Sequence, residues 1–178
     1  KAQNIAQFIP AQPPTIGATY TFSIPKNRNH LDKSPVPAGK FAPLASEAFR
    51  ITATSAPNRW ASDYSPSTGE WLIVFNDAVN PATAANFVSF SSNSGQRVAA
   101  QLEQATVDRA GYYGRNASTW ASRFPNTPAV ENAPENPAPN ILVAKPLSPL
   151  PVGEGWVVSF LKGLPNQSSK ARTIEDSN

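Results

Sequence analysis

Cysteine and methionine are absent from this 178-residue chain, and histidine occurs once, as His30. Without cysteine there can be no disulfide, no thiolate nucleophile and no cysteine-ligated zinc. That absence leaves the compartment open, because a disulfide would only have been positive support for an oxidising one. Charge is scarce as well: charged residues make up 15% of the chain and the formal net charge is +3. Lys and Arg are dispersed, so the basic stripe of a nucleic-acid binder is missing. No apolar run approaches the ~20 residues that a membrane-spanning helix needs, and no membrane contact is expected of this segment. Proline is what the chain has in excess, at 19 residues, about twice the usual ~5%. Even with the nine glycines the total stays below the ~25–30% of low-complexity chains. Proline in a folded chain of this kind stiffens loops and blunts sheet edges, where a missing N–H costs nothing.

An immunoglobulin-like sandwich needs only about 100 residues, so 178 residues leave a surplus for an extension, an insertion or both. Residues 1–17 carry Pro10, Pro13 and Pro14 and read as an extended lead-in. Ala18, Tyr20, Phe22 and Ile24 then alternate with Thr19, Thr21 and Ser23, the period of a half-buried strand. Residues 25–46 read as loop. Phe49, Ile51 and Ala53 mark a second strand, ended by Pro57. Trp71–Phe75 is the most continuous apolar run and suits a central strand covered on both faces. Residues 81–86 predict one helical turn before Phe87–Phe90, and Ser91–Gly95 predicts a hairpin turn leading to Val98, Ala100 and Leu102 on one face. Between 108 and 140 the pattern disappears among prolines and glycines, a length that is uncommon inside a compact domain. Ile141–Ala144 and Gly155–Leu161 are the last clear strands, with a short one expected around Ala171–Ile174. No segment keeps a helical period for three turns. The fold class expected is therefore all-β, an antiparallel immunoglobulin-like sandwich with a long irregular insertion.

Two stretches echo each other: Pro14–Ile24 and Leu150–Phe160. Each has a proline-bearing approach, a glycine, two spacers, an aromatic residue and an alternating strand. The step from Gly17 to Tyr20 equals the step from Gly153 to Trp156. A strand approach used twice points to repeated sandwich modules. Residues 1–47 then resemble the closing part of a preceding module, and 48–178 a sandwich domain carrying the insertion 108–140.

Between these stretches lies Phe75-Asn76-Asp77-Ala78-Val79-Asn80-Pro81, in which Asp77 can accept turn N–H groups and Pro81 blocks the ladder. Phe87 and Phe90 follow, then Asn140–Val143, Leu150-Pro151-Val152-Gly153 before Trp156, and Gly163-Leu164. This order resembles the macroglobulin-type, immunoglobulin-like domains near the start of bacterial α2-macroglobulin-like proteins, over roughly residues 48–165. The resemblance implies a non-catalytic module of a large proteinase trap, periplasmic or extracellular, whose parent protein is in many members lipid-anchored. The implied partners are neighbouring modules of the same protein, proteinases engaged by the whole protein, and cell-envelope components. The Cys-x-x-Gln thioester that many such proteins use is absent from this segment, and the 108–140 insertion departs from the module pattern.

Few residues invite a catalytic reading. His30 sits among Asn27, Arg28, Asn29, Asp32 and Lys33, a solvated-turn composition, and no Gly-x-Ser-x-Gly elbow accompanies it. Asp32, Asp63, Asp77, Asp108, Glu175 and Asp176 lack the spacing of a calcium loop, and Asp77 reads as a turn former. Gly111-x-x-Gly114 lacks the Lys-Ser/Thr of a phosphate loop. No enzyme, metal or cofactor is expected. The aromatics divide by position: Trp71 and Trp156 lie in strands and read as core. Trp60, Tyr112, Tyr113 and Trp120 lie in loops and are the candidate interaction surface, the alternative function being a carbohydrate-binding or adhesive module built on them. Asn116-Ala117-Ser118 and Asn166-Gln167-Ser168 match the glycosylation triplet.

Overall fold

A computed structural model describes residues 14–25, 38–55, 69–110 and 135–178, together with the isolated positions 9 and 11. Within them the chain is an all-β, antiparallel immunoglobulin-like sandwich. Its strands are β1 (Thr19–Tyr20), β2 (Ser23–Ile24), β3 (Gly39–Lys40), β4 (Leu44–Ala45), β5 (Ile51–Ser55), β6 (Trp71–Phe75), β7 (Val88–Ser92), β8 (Arg97–Thr106), β9 (Pro137–Pro146) and β10 (Trp156–Phe160). One short helix, α1 (Pro81–Ala84), runs into a 3₁₀ turn over Ala85–Phe87.

Six strands form one sheet in the order β10-β7-β8-β9-β6-β5. The sheet folds over on itself because β8 changes neighbours along its length. Its Arg97–Ala99 part pairs with Ser89–Ser91 of β7, and from Ala100 onward it pairs with β9. Side chains on the concave face then meet across the fold. Trp71, Ile73 and Phe75 of β6 share that face with Leu142 and Ala144 of β9, as the pairings Ile73↔Leu142 and Trp71↔Ala144 require. Val88 and Phe90 of β7 and Val158 and Phe160 of β10 supply the opposite wall. Trp71 and Phe90 meet edge to face at 5.8 Å, and Phe49 stacks on Phe75 at 5.6 Å, distances at which aromatic pairs attract beyond their area burial.

The other face of β6 and β9 is buried too. Val74, Ile141 and Val143 form a second cluster with Ala105, Ala110 and Ala138, flanked by Ala53 and Leu72. This explains why Trp71–Phe75 reads as an unbroken apolar run, as strands covered on both faces do. The short helix also forms as expected. Asn80 caps it, with Oδ1 accepting from the Ala82 N–H at 2.9 Å, and Pro81 takes the first helical position, where no N–H is needed. The hairpin turn at Ser91–Gly95 closes through the Gly95 N–H to Ser92 O at 3.0 Å.

Three expectations need correction. The strand read over 18–24 is not half-buried: Tyr20 is 44% exposed and Phe22 45%. Residues 39–45, read as loop, pair with it as β3 and β4. The two ladders are out of register with each other by one residue, and Pro43 sits in the break, where its missing N–H removes a ladder bond. Finally, the irregular stretch does not extend to 140, because β9 begins at Pro137. Most of the expected insertion lies outside the described residues.

The inner cluster sets a stability test. Phe75 is fully buried at the centre of the fold. Phe75→Ala is expected to lower unfolding free energy by ~3–5 kcal/mol, read from urea denaturation. A loss below ~1 kcal/mol would mean that this face is not closed.

Candidate interaction surface

The segment after β6 gathers polar contacts from three distant parts of the chain. Asn76 is buried. Its Oδ1 accepts the Arg50 N–H at 2.9 Å and its Nδ2 donates to Ala48 O at 2.8 Å. Asp77 Oδ1 accepts the Ala78 N–H at 2.7 Å, the turn-forming role expected of it, and Oδ2 accepts from Asn166 Nδ2 at 2.8 Å. The Gln167 N–H donates to Ala78 O at 2.8 Å, and the Val79 N–H to Pro139 O at 2.9 Å. Asn140 Nδ2 donates to Phe75 O at 3.0 Å. A shallow depression of ~220 Å³ opens here, lined by Asp77, Ala78, Gln167 and Ser168. Asn166 is buried, and its Oδ1 accepts from the Ala171 N–H as well as from Ser168 Oγ. Its amide is therefore part of the fold, and the triplet at 166 is not presented for modification.

The echo between the two glycine-aromatic stretches has a shared geometry. Gly17 has φ 73° and Gly153 φ 86°, left-handed values that residues with a Cβ resist. In each turn the aromatic residue three positions later bonds back to the main chain two residues before the glycine. The Tyr20 hydroxyl accepts the Thr15 N–H at 2.7 Å, and Trp156 Nε1 donates to Pro151 O at 2.9 Å. The chemistry differs because proline has no N–H to give: only a carbonyl is available at 151, and an indole N–H suits it. Hydrogen bonds from Thr15 hold the Tyr20 phenol below its ordinary pKa.

From these turns the paths diverge. β10 enters the sheet beside β7, whereas among the described residues β1 and β2 pair only with β4 and β3, as a narrow ribbon. Ile16 anchors the ribbon on the inner cluster, and the Ser46 hydroxyl ties its base to Thr15 O and to the Ala18 N–H. Tyr20 and Leu44 lie directly opposite each other, and Phe22 and Phe41 pack at 5.2 Å. Phe41 is 52% exposed and Leu44 74%. The ribbon thus presents an apolar, largely aromatic patch outside the sandwich. Sequence reasoning missed it because period-two alternation marks an apolar face without saying whether anything covers it.

On the outer face of β8 and β9, four charges form an alternating ring. Arg109 reaches Glu70 and Glu103 at 2.8 Å each, and Lys145 reaches the same two carboxylates at 3.1 and 3.3 Å. Arg109 first, and Lys145 with it, holds both carboxylates below the usual range. The carboxylates in turn hold Arg109 and Lys145 above theirs, with Glu70 the larger cause.

The sequence-based candidates Trp60, Tyr112, Tyr113 and Trp120 lie outside the described residues, as do His30, Asp32 and Asp63. Of the other carboxylates, Asp176 Oδ1 accepts the Lys162 N–H at 2.7 Å. Among the described residues no group of three or more His, Cys, Asp or Glu side chains is placed to hold a metal ion. Comparison with models of known protein families and with curated proteins finds no match.

Two predictions follow from this geometry. A methyl added at Gly17 would come within 2.9 Å of Ala171 Cβ, while one at Gly153 would meet nothing within 4 Å. Gly153→Ala is expected to cost ~1–2 kcal/mol from backbone strain alone, and Gly17→Ala clearly more, by denaturant midpoints. Equal losses would contradict the close approach. For the charge ring, lowered carboxylate pKa values contribute stability that is present above the unfolded values near ~4 and is lost as pH falls through the folded ones. The raised Lys145 and Arg109 contribute below their unfolded values, near ~10 and above, and lose that contribution only at higher pH. Arg109→Gln should therefore lower the urea midpoint at pH 7 more than at pH 3; the same drop at both would show that the ring adds nothing.

Proposed function

We propose that this chain is a non-catalytic structural module of a bacterial macroglobulin-like proteinase trap of the cell envelope, a rigid sandwich that docks on neighbouring modules. Its task would be mechanical: to hold the geometry in which a larger protein encloses an attacking proteinase. The observation that carries the docking role is the ribbon, whose Tyr20, Phe41 and Leu44 stand exposed on an element anchored to the sandwich core through Ile16. Exposed aromatic clusters of this kind mark interaction surfaces more often than isolated apolar residues do. The family reading rests on the order of motifs, from Phe75–Pro81 through Leu150–Trp156 to Gly163-Leu164. It is supported by the structural weight that the first two carry, one as the polar junction and the other as the approach to β10.

The test uses the parent polypeptide. Incubated with trypsin, it should leave cleavage of small chromogenic peptides intact while protecting large protein substrates, the mark of physical enclosure. Equal cleavage of both substrate sizes, with and without the parent protein, would reject the trap. A parent gene with no further sandwich modules would reject the array.

A further inference from the structure

The outer edge of β10 carries main-chain groups that have no partner among the described residues. Towards β7 the ladder uses Val157 and Ser159, continued by Gly155 O accepting from Asn93 and by the Leu161 N–H to Phe87 O. Trp156, Val158 and Phe160 therefore direct their N–H and C=O groups to the other side. Phe160 exchanges both bonds with Ser177, at 2.8 and 3.0 Å. Among the described residues nothing pairs with Trp156 or Val158 on that side.

This edge lacks the usual protections. Gly155–Leu161 contains no charge and no proline, and its ladder with β7 runs from Trp156↔Ser92 to Phe160↔Val88 without a bulge. Natural edges are normally blunted by lysine, proline or a bulge. The opposite edge of the same sheet, β5, has such a bulge between Ile51 and Ala53. Beside the open edge, Val157 and Leu161 are 40% and 41% exposed on the outer face, and the hydroxyls of Ser91 and Ser159 satisfy each other.

We propose that this edge pairs with the same edge of a second copy of the chain, antiparallel and centred on Val157. A two-fold axis generates an antiparallel pair. The free length is bounded by Ser177 at one end and by the Gly153 turn at the other, which leaves Val157 as its centre. Trp156 of each copy then faces Val158 of the other, and four main-chain bonds form. The two Val157 side chains lie together at the axis, and no like charges meet within Gly155–Leu161. A contact this short gives a weak, concentration-dependent dimer, below the ~1,200 Å² of stable interfaces. The proposal does not rest on the macroglobulin reading.

The test is sedimentation of the whole 178-residue chain between ~10 μM and ~1 mM, the range in which weak pairs form. Weight-average mass should rise from 19.0 kDa towards twice that value. Val157→Lys, which sets two ammonium groups across the axis, should abolish the rise, and Val157→Thr should preserve it. Leu44→Lys, on the ribbon, should also preserve it. A wild-type chain that stays at monomer mass throughout would overturn the proposal. So would association that survives Val157→Lys or is lost in Leu44→Lys.

Discussion

The turn that follows β6 is the constraint on which the rest of the structure depends. A strand buried on both faces must end somewhere, and its last polar main-chain groups need partners without access to bulk water. Phe75 O accepts from Asn140 Nδ2, the Asn76 N–H donates to Arg50 O and the Val79 N–H donates to Pro139 O, while the side chains of Asn76 and Asp77 reach the approach to β5 and the loop after β10. Asn140 and Pro139 bring in the start of β9. Buried amides with several bonds each are costly to leave unpaired, ~1–3 kcal/mol per group. The segments they hold are therefore fixed together.

Around that junction the architecture follows from a long strand that serves two neighbours. β8 pairs first with β7 and then with β9, which lets one sheet form both walls of a core. The two glycine-aromatic turns set the directions in which strands arrive. One delivers β10 into the sheet. The other delivers β1 and β2 to a ribbon outside it, so the same local device gives a core strand in one place and an exposed patch in the other.

The core was legible in the sequence, because its signals are local. Trp71–Phe75 is apolar without a break, the Ser91–Gly95 turn is rich in turn-forming residues, and residues 81–86 read as one helical turn. Trp71 and Trp156 also lie where strand position put them, packed against the inner cluster. What escaped depends on partners far away in the chain. Asp77 reads as a turn residue, and nothing near it announces Asn166, 89 positions on. Pro43 reads as a loop residue, yet it only interrupts a ribbon whose other strand lies some twenty residues earlier. Tyr20 and Phe22 alternate as core residues do, but whether an apolar face is covered is decided by packing, not by period. The charge ring was equally hidden, since Glu70, Glu103, Arg109 and Lys145 come from separate elements.

Native-state hydrogen exchange tests the central claim most directly. The Arg50 amide binds Asn76 Oδ1, the Gln167 amide binds Ala78 O and the Ala171 amide binds Asn166 Oδ1. If the turn after β6 locks these segments into one unit, the three amides exchange with a single free energy equal to that of global unfolding. If Gln167 and Ala171 exchange through a much smaller opening while Arg50 stays protected, the loop after β10 is held independently and the junction does not unite the fold.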